Sequence, residues 1–259
     1  MPLERSHLER LTLHWDRWRG VQHAHLLHVG KTGGTALKAT LENARGDNCR
    51  LFLHGHRVTL GDIPEGDGFF FFVRDPVSRF ASGFYSRQRQ GQPRYFYRWT
   101  RNEATAFERF QTPDELARAL SDPDAARRAE AEHAMRSIQH VRDPYRLWFG
   151  DDAAFRSRAD DLLFVGSQEH LREDFQRLKA VLGLPEDLQL PSSPKEAHRR
   201  PEHLDVTLSD EARANLAAWY AEDYVFLDEL ADRHDHLPRY TPVSAPSSPE
   251  GPTQQAPLS

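Results

Sequence analysis

Apolar residues recur along the chain in two alternating patterns. His25–Val29 (HLLHV) is a short apolar run ending at Gly30, and Gly34–Asn43 sets Ala36, Leu37 and Leu41 at helical intervals. That order predicts strand, tight loop, helix. Leu51–His54 predicts a second strand, and the Gly, Pro and Asp of Gly61–Gly68 predict a surface turn. Phe69–Val73 is apolar throughout, as expected of a strand buried on both faces of a parallel sheet. Pro76 suits the first turn of a helix running from Val77 to Arg87, and Leu162–Gly166 followed by Gln168–Leu182 repeats strand and helix, closed by Gly183. Such alternation predicts an α/β fold: a doubly wound sheet with central parallel strands flanked by helices. Thr112–Phe149, rich in Ala, Arg and Glu, predicts a helical insertion, and Ser209–Asp232 a single closing helix. Pro238–Ser259 is dominated by Pro, Ser, Thr and Gln and reads as a disordered tail.

At the amino end, Leu8, Leu11, Trp15 and Trp18 recur at three- and four-residue spacing. They predict a short amphipathic helix over residues 1–20 that packs on the domain, in preference to a membrane-surface helix. The segment lacks the continuous apolar core of a signal peptide, and no apolar run approaches the roughly 18 residues of a membrane span. A cytoplasmic location is therefore expected. The 259 residues carry a net charge of −5, which argues against a dedicated nucleic-acid binder. The single cysteine, Cys49, excludes a disulfide framework and a structural thiolate zinc site.

Between the first strand and first helix lies Gly30-Lys31-Thr32-Gly33-Gly34-Thr35, continuing into Ala36. Backbone N–H groups at a helix start can cradle an anion there, and Lys31 adds a point charge. The Walker A pattern G-x-x-x-x-G-K-[ST] fails, because its first glycine would fall at His25. A second motif, Val73-Arg74-Asp75-Pro76 through Ser82, puts Arg74 at the carboxyl end of a buried strand and Ser82 on the following helix. Both can meet a second anion beside the loop.

These two motifs resemble those of the sulfotransferases that use 3′-phosphoadenosine 5′-phosphosulfate (PAPS), in particular the carbohydrate and heparan sulfate O-sulfotransferase branch. His28-Val29-Gly30-Lys31-Thr32-Gly33-Gly34-Thr35 resembles their 5′-phosphosulfate loop, and Arg74 with Ser82 their 3′-phosphate motif. A later segment, Phe164-Val165-Gly166 with Gln168-Glu169-His170, is a weaker likeness. The resemblance implies a P-loop-like fold over residues 21–237 and PAPS as donor. It further implies that Gly30, Lys31, Thr32, Gly33, Gly34, Thr35 and Ala36 hold the 5′-phosphosulfate and that Arg74 and Ser82 hold the 3′-phosphate. The RKG-type segment of cytosolic relatives has no counterpart; Lys195, Arg199 and Arg200 are the nearest basic cluster.

In-line sulfuryl transfer to a hydroxyl needs a positioned donor, a cation at the leaving phosphate and a base for the acceptor proton. Lys31 suits the second task. For the third, Leu53-His54-Gly55-His56 follows the second strand and resembles the His-Gly-His of the heparan sulfate 2-O branch. His56 is the favoured base and His54 the close second. His-x-His without a carboxylate or third ligand at a recognisable spacing does not predict a metal site. From Arg74 to Arg109, eight Arg against three acids are interleaved with Tyr95, Phe96, Tyr97 and Trp99. That composition suits an acidic or sugar acceptor and, equally, a solvated loop. The sequence thus predicts O-sulfation of a carbohydrate, glycolipid or other metabolite, with no nucleic-acid partner. An ATP-dependent kinase and a noncatalytic nucleotide-binding protein are the alternatives.

Overall fold

The computed structural model describes residues 13–16, 18–93, 95–191 and 207–242. Its centre is a four-stranded, all-parallel sheet of β1 (Gln22–Leu26), β2 (Cys49–Leu53), β3 (Gly68–Val73) and β4 (Leu162–Ser167) in the order β2-β1-β3-β4. The chain leaves β1 through α1 (Gly34–Leu41) toward β2 on one side, and leaves β3 toward β4 on the other. The topology therefore reverses between β1 and β3. A crevice opens at the carboxyl ends of strands at such a point.

All six residues of β3 are buried, as its unbroken apolar run predicts. On one face, Ala24, Leu26, Phe70 and Phe72 pack against α1 and α8 (Leu171–Leu182) through Leu37, Phe175 and Leu178. On the other, Phe69, Phe71 and Val73 pack against α6 (Arg146–Phe149), α7 (Asp152–Arg156) and α10 (Ala221–Arg233) through Trp148, Phe155 and Leu227. A separate apolar core joins α2 (Pro76–Gln88) to α3 (Arg101–Arg109), α4 (Pro113–Arg118), α5 (Ala125–Ser137) and α9 (Asp210–Trp219). Thr100 and Thr112 start α3 and α4 with reciprocal capping boxes to Glu103 and Glu115.

Four sequence expectations need correction. Strand pairing stops at Leu26, three residues before the end of the apolar run, because Val29 N–H turns back to Leu27 O at 3.0 Å. Leu27 and Val29 stay buried as the approach to the loop rather than as strand. The closing helix is two, α9 and α10, broken at Tyr220, whose hydroxyl donates to Val141 O at 2.8 Å. Of the amino-terminal stripe, Trp15 and Trp18 are 56% and 74% exposed while Leu13 and Asp16 are buried; Leu8 and Leu11 lie outside the described residues. The stretch read as the start of a disordered tail is docked instead, since the Tyr240 hydroxyl donates to Glu169 Oε2 at 2.6 Å. Residues 243–259 lie outside the described set.

Candidate active site at the carboxyl ends of β1 and β3

The loop after β1 is shaped by two left-handed residues. Lys31 has φ 69° and Gly33 φ 88°, and Gly33 then caps α1. A non-glycine residue at positive φ costs on the order of 1 kcal/mol or more and marks a constrained turn. Gly34 is required for another reason: a Cβ there would lie 2.2 Å from the buried His28 ring. Thr32 is buried and its hydroxyl donates to Val29 O at 3.1 Å, closing the loop. Ala36 N–H is taken by Gly33 O at 3.0 Å. Of the seven residues expected to hold the 5′-group, Thr32 and Ala36 thus spend these groups on the loop itself. Gly30 is buried, Lys31, Gly33 and Thr35 are half-buried, and Gly34 begins the helix. The first amides of a helix lack intrahelical partners and point outward from its N-terminus.

Arg74 follows the last residue of β3, beside this loop. Its Nη1 donates to Lys31 O at 3.3 Å. Its own peptide is clamped: the Tyr145 hydroxyl accepts from Arg74 N–H and donates to Arg74 O, each at 2.8 Å. Asp75 caps α2 by accepting from Ser78 N–H at 2.7 Å and also accepts from the Tyr224 hydroxyl at 2.9 Å. Ser82 stands half-buried in the second turn of α2. Burial, followed by the positive charges of Arg74 and Arg89, lowers the Lys31 pKa to about 8. Arg74 thus reaches the loop of Lys31, and the charge of Arg89 also bears on that ammonium. Such a set calls for a multiply charged anion.

The histidines of the His54-Gly55-His56 segment separate. Its approach from β2 runs alongside β1, which supplies His25 as a partner to His54, while the continuation of β1 supplies His28 to His56. His56 Nδ1 lies 3.0 Å from His28 O and its ring centroid 3.9 Å from that of His28. A carbonyl only accepts, so Nδ1 carries the proton and Nε2 is left as the lone-pair nitrogen of the neutral ring. Gly55 and His56 are exposed overall, yet burial of the ring, opposed by the bond to His28 O and aided by Lys31, lowers the His56 pKa. His140, at φ 69°, sets its ring 5.5 Å from His56. Burial, then the charges of Lys31 and His56, takes its pKa well below 6.5. His56 and His140 line a cavity of ≈ 600 Å³ with Ser86, Arg87, Tyr95 and Tyr97. His54 instead pairs with His25, Nε2 to Nδ1 at 2.8 Å. The two histidines do not share one pocket wall as alternate strand residues would.

The arginine-rich stretch also divides. Arg79 is 1% exposed and donates to Asp223 Oδ2 at 3.0 Å and Asp143 O at 2.7 Å, under the Tyr145 ring. Arg87 is buried and makes a two-pronged pair with Glu103 at 2.7 and 2.9 Å. Trp99 is partly buried and donates to Arg87 O at 2.7 Å. These residues build the wall, while Tyr95, Phe96 and Tyr97 are exposed. Lys195, Arg199 and Arg200 lie outside the described residues. Sequence reasoning passed over Tyr145, Asp223, Glu103 and His140, which carry no local motif and reach the site only through the fold.

The family pattern described as the sulfotransferase family matches residues 68–228, more than half of the chain. The chain belongs to the sulfotransferase family. No curated protein matches it at a significant level. The matched span of this sulfotransferase runs from β3 into α10, so it includes Arg74 and Ser82 and begins downstream of the Gly30 loop and of His54-Gly55-His56. The all-parallel sheet with helices on both faces agrees with the P-loop-like architecture of the family. Among the described residues, no cluster of His, Cys, Asp and Glu is arranged to hold a metal ion, and no helix is long and apolar enough to cross a membrane.

Proposed function

We propose that this sulfotransferase moves a sulfuryl group from PAPS to a hydroxyl of a carbohydrate, glycolipid or other metabolite, with His56 as general base. The observation that carries the reading is Arg74 reaching Lys31 O on the β1–α1 loop at the sheet's switch point. The donor set fits a nucleotide bearing anionic groups at both its 5′ and 3′ positions: amides and Lys31 on one side, Arg74 and Ser82 on the other. PAPS supplies the activated sulfuryl group. Lys31 offsets charge where the 5′-phosphate leaves. Tyr145 fixes the Arg74 peptide, so the guanidinium starts from a rigid base. His56 Nε2 takes the acceptor proton, and its Nδ1–H keeps its bond to His28 O throughout, so the ring need not reorient. The exposed Tyr95 and Tyr97 offer rings on which a sugar can stack.

Calorimetric titration with 3′-phosphoadenosine 5′-phosphate, set against AMP and ATP, tests the donor. The wild type should prefer the 3′-phosphorylated nucleotide, and Arg74→Ala should weaken it by about 2 kcal/mol, roughly thirtyfold, while leaving AMP unaffected. Equal affinity for ATP, or an Arg74→Ala protein that still selects the 3′-phosphate, would sink the assignment.

A further inference from the structure

Behind the His54-Gly55-His56 turn runs a buried polar chain that the proposed reaction does not use. Arg50 Nε meets Asp16 Oδ2 at 2.7 Å, and Asp16 Oδ2 faces His23 Nε2 at 3.6 Å. His23 Nδ1 faces Asp67 Oδ1 at 3.2 Å, and Asp67 Oδ2 faces His25 Nε2 at 3.4 Å. His25 Nδ1 then meets His54 Nε2 at 2.8 Å. His25 is fully buried and Asp67 is 3% exposed, so neither ring nor carboxylate is there by default.

Donor and acceptor roles follow along this chain. Asp67 Oδ2 and His25 Nε2 face each other at ion-pair distance, 3.4 Å, rather than in a formed hydrogen bond, and a proton on that nitrogen keeps its lone pair from facing the carboxylate. A fully buried ring favours the neutral form, and Asp67 already shares its charge with His23. The other nitrogen of a neutral His25 is then a lone pair, and His54 Nε2 must donate to it. His56 is held the opposite way, with its proton on Nδ1 toward His28 O. Asp62, on the short 3-10 turn at Leu60–Asp62, also interacts electrostatically with His54.

We infer that Asp67 and His25 are positioning residues that hold His54 with its proton on Nε2, so that the two histidines of His54-Gly55-His56 are locked in opposite tautomers and divide the work. His54 anchors the turn to β1, and His56 carries the base. The assignment of the base rests on the sulfuryl-transfer reading; the tautomers themselves do not.

Long-range ¹H–¹⁵N correlation of the imidazole nitrogens in the full-length protein at pH 8 reads the tautomers directly, with His54→Gln and His56→Gln assigning the signals. The expected result is His54 protonated on Nε2 and His56 on Nδ1. In His25→Phe, which keeps a ring beside Phe52 but removes the acceptor nitrogen, the Nε2–H fraction of His54 should fall at least severalfold. His56 and the affinity for 3′-phosphoadenosine 5′-phosphate should change less than twofold. His54 found as Nδ1–H in the wild type, both histidines in the same tautomer, or a folded His25→Phe protein with unchanged His54 signals would overturn the inference. Opposite tautomers in a protein that ignores 3′-phosphoadenosine 5′-phosphate would keep the network and remove the sulfuryl-transfer reading.

Discussion

His28 offers the sharpest thermodynamic test of how the loop is built. Its ring is 7% exposed and fills the space over Gly34. Burial, followed by the charges of His56, Lys38 and Lys31, lowers its pKa from 6.5 to about 3. Between those two values the unfolded chain binds a proton that the folded chain refuses, so this histidine makes stability rise with pH across the window. Its contribution is complete above the unfolded pKa and is lost as pH falls below it. Moving from pH 7 to pH 5 charges the unfolded imidazole almost fully and the folded one hardly at all, which costs the fold about 2 kcal/mol. Urea unfolding followed by tryptophan fluorescence, at both pH values, gives the difference for the wild type. His28→Gln carries no such proton and should lose about 2 kcal/mol of that pH 7 to pH 5 difference, whatever the substitution costs at pH 7 alone. His56 and His140, whose pKa values are also lowered, keep their own shares in both proteins. An equal pH-dependent drop in wild type and variant would mean that the His28 ring is not held neutral against the loop.

Gly34→Ala should fold with a stability loss of about 1–3 kcal/mol from overpacking against His28 and should lose most of its affinity for 3′-phosphoadenosine 5′-phosphate, which calorimetry beside urea unfolding will separate. Asp223→Ala strands the buried Arg79 guanidinium and removes the acceptor of Tyr145 N–H, so unfolding free energy should fall by about 3–5 kcal/mol in urea titrations. Because the Lys31 ammonium has a pKa of about 8, affinity for the same nucleotide should decline as pH rises from 8 to 9.5, by up to tenfold per unit, and Lys31→Met should flatten that profile.

The parallel sheet was legible because its signals are local. The unbroken Phe69–Val73 run, the Gly30–Thr35 turn and Pro76 at the start of α2 each act within a few residues. Boundaries were less so. The apolar run at Leu27–Val29 is buried by the approach to the loop rather than by strand pairing, and hydropathy cannot distinguish the two. In the same way, Trp15 and Trp18 fit a core-facing stripe by spacing, but the buried positions of that turn are Leu13 and Asp16, the latter because it meets Arg50 and His23.

The site shows the same limit in its charges. Eight arginines between Arg74 and Arg109 look alike in sequence, yet they do opposite things in the fold. Arg79 and Arg87 are neutralised by Asp223 and Glu103, the first 144 and the second 16 residues away along the chain. A buried cation paired with a carboxylate stiffens the scaffold and is closed off from a ligand by its burial. Arg74 instead turns its guanidinium toward the carbonyl of another cation, Lys31, while its backbone is gripped by Tyr145. Clustering like charges costs energy in the free protein, and the lowered pKa of Lys31 registers that cost. Binding an anion would relieve it, so under the proposed function part of the affinity for a doubly phosphorylated nucleotide would come from this repulsion around Lys31. Which arginines bind and which brace is thus decided by the distant acids the fold brings to them, and local composition does not carry that information.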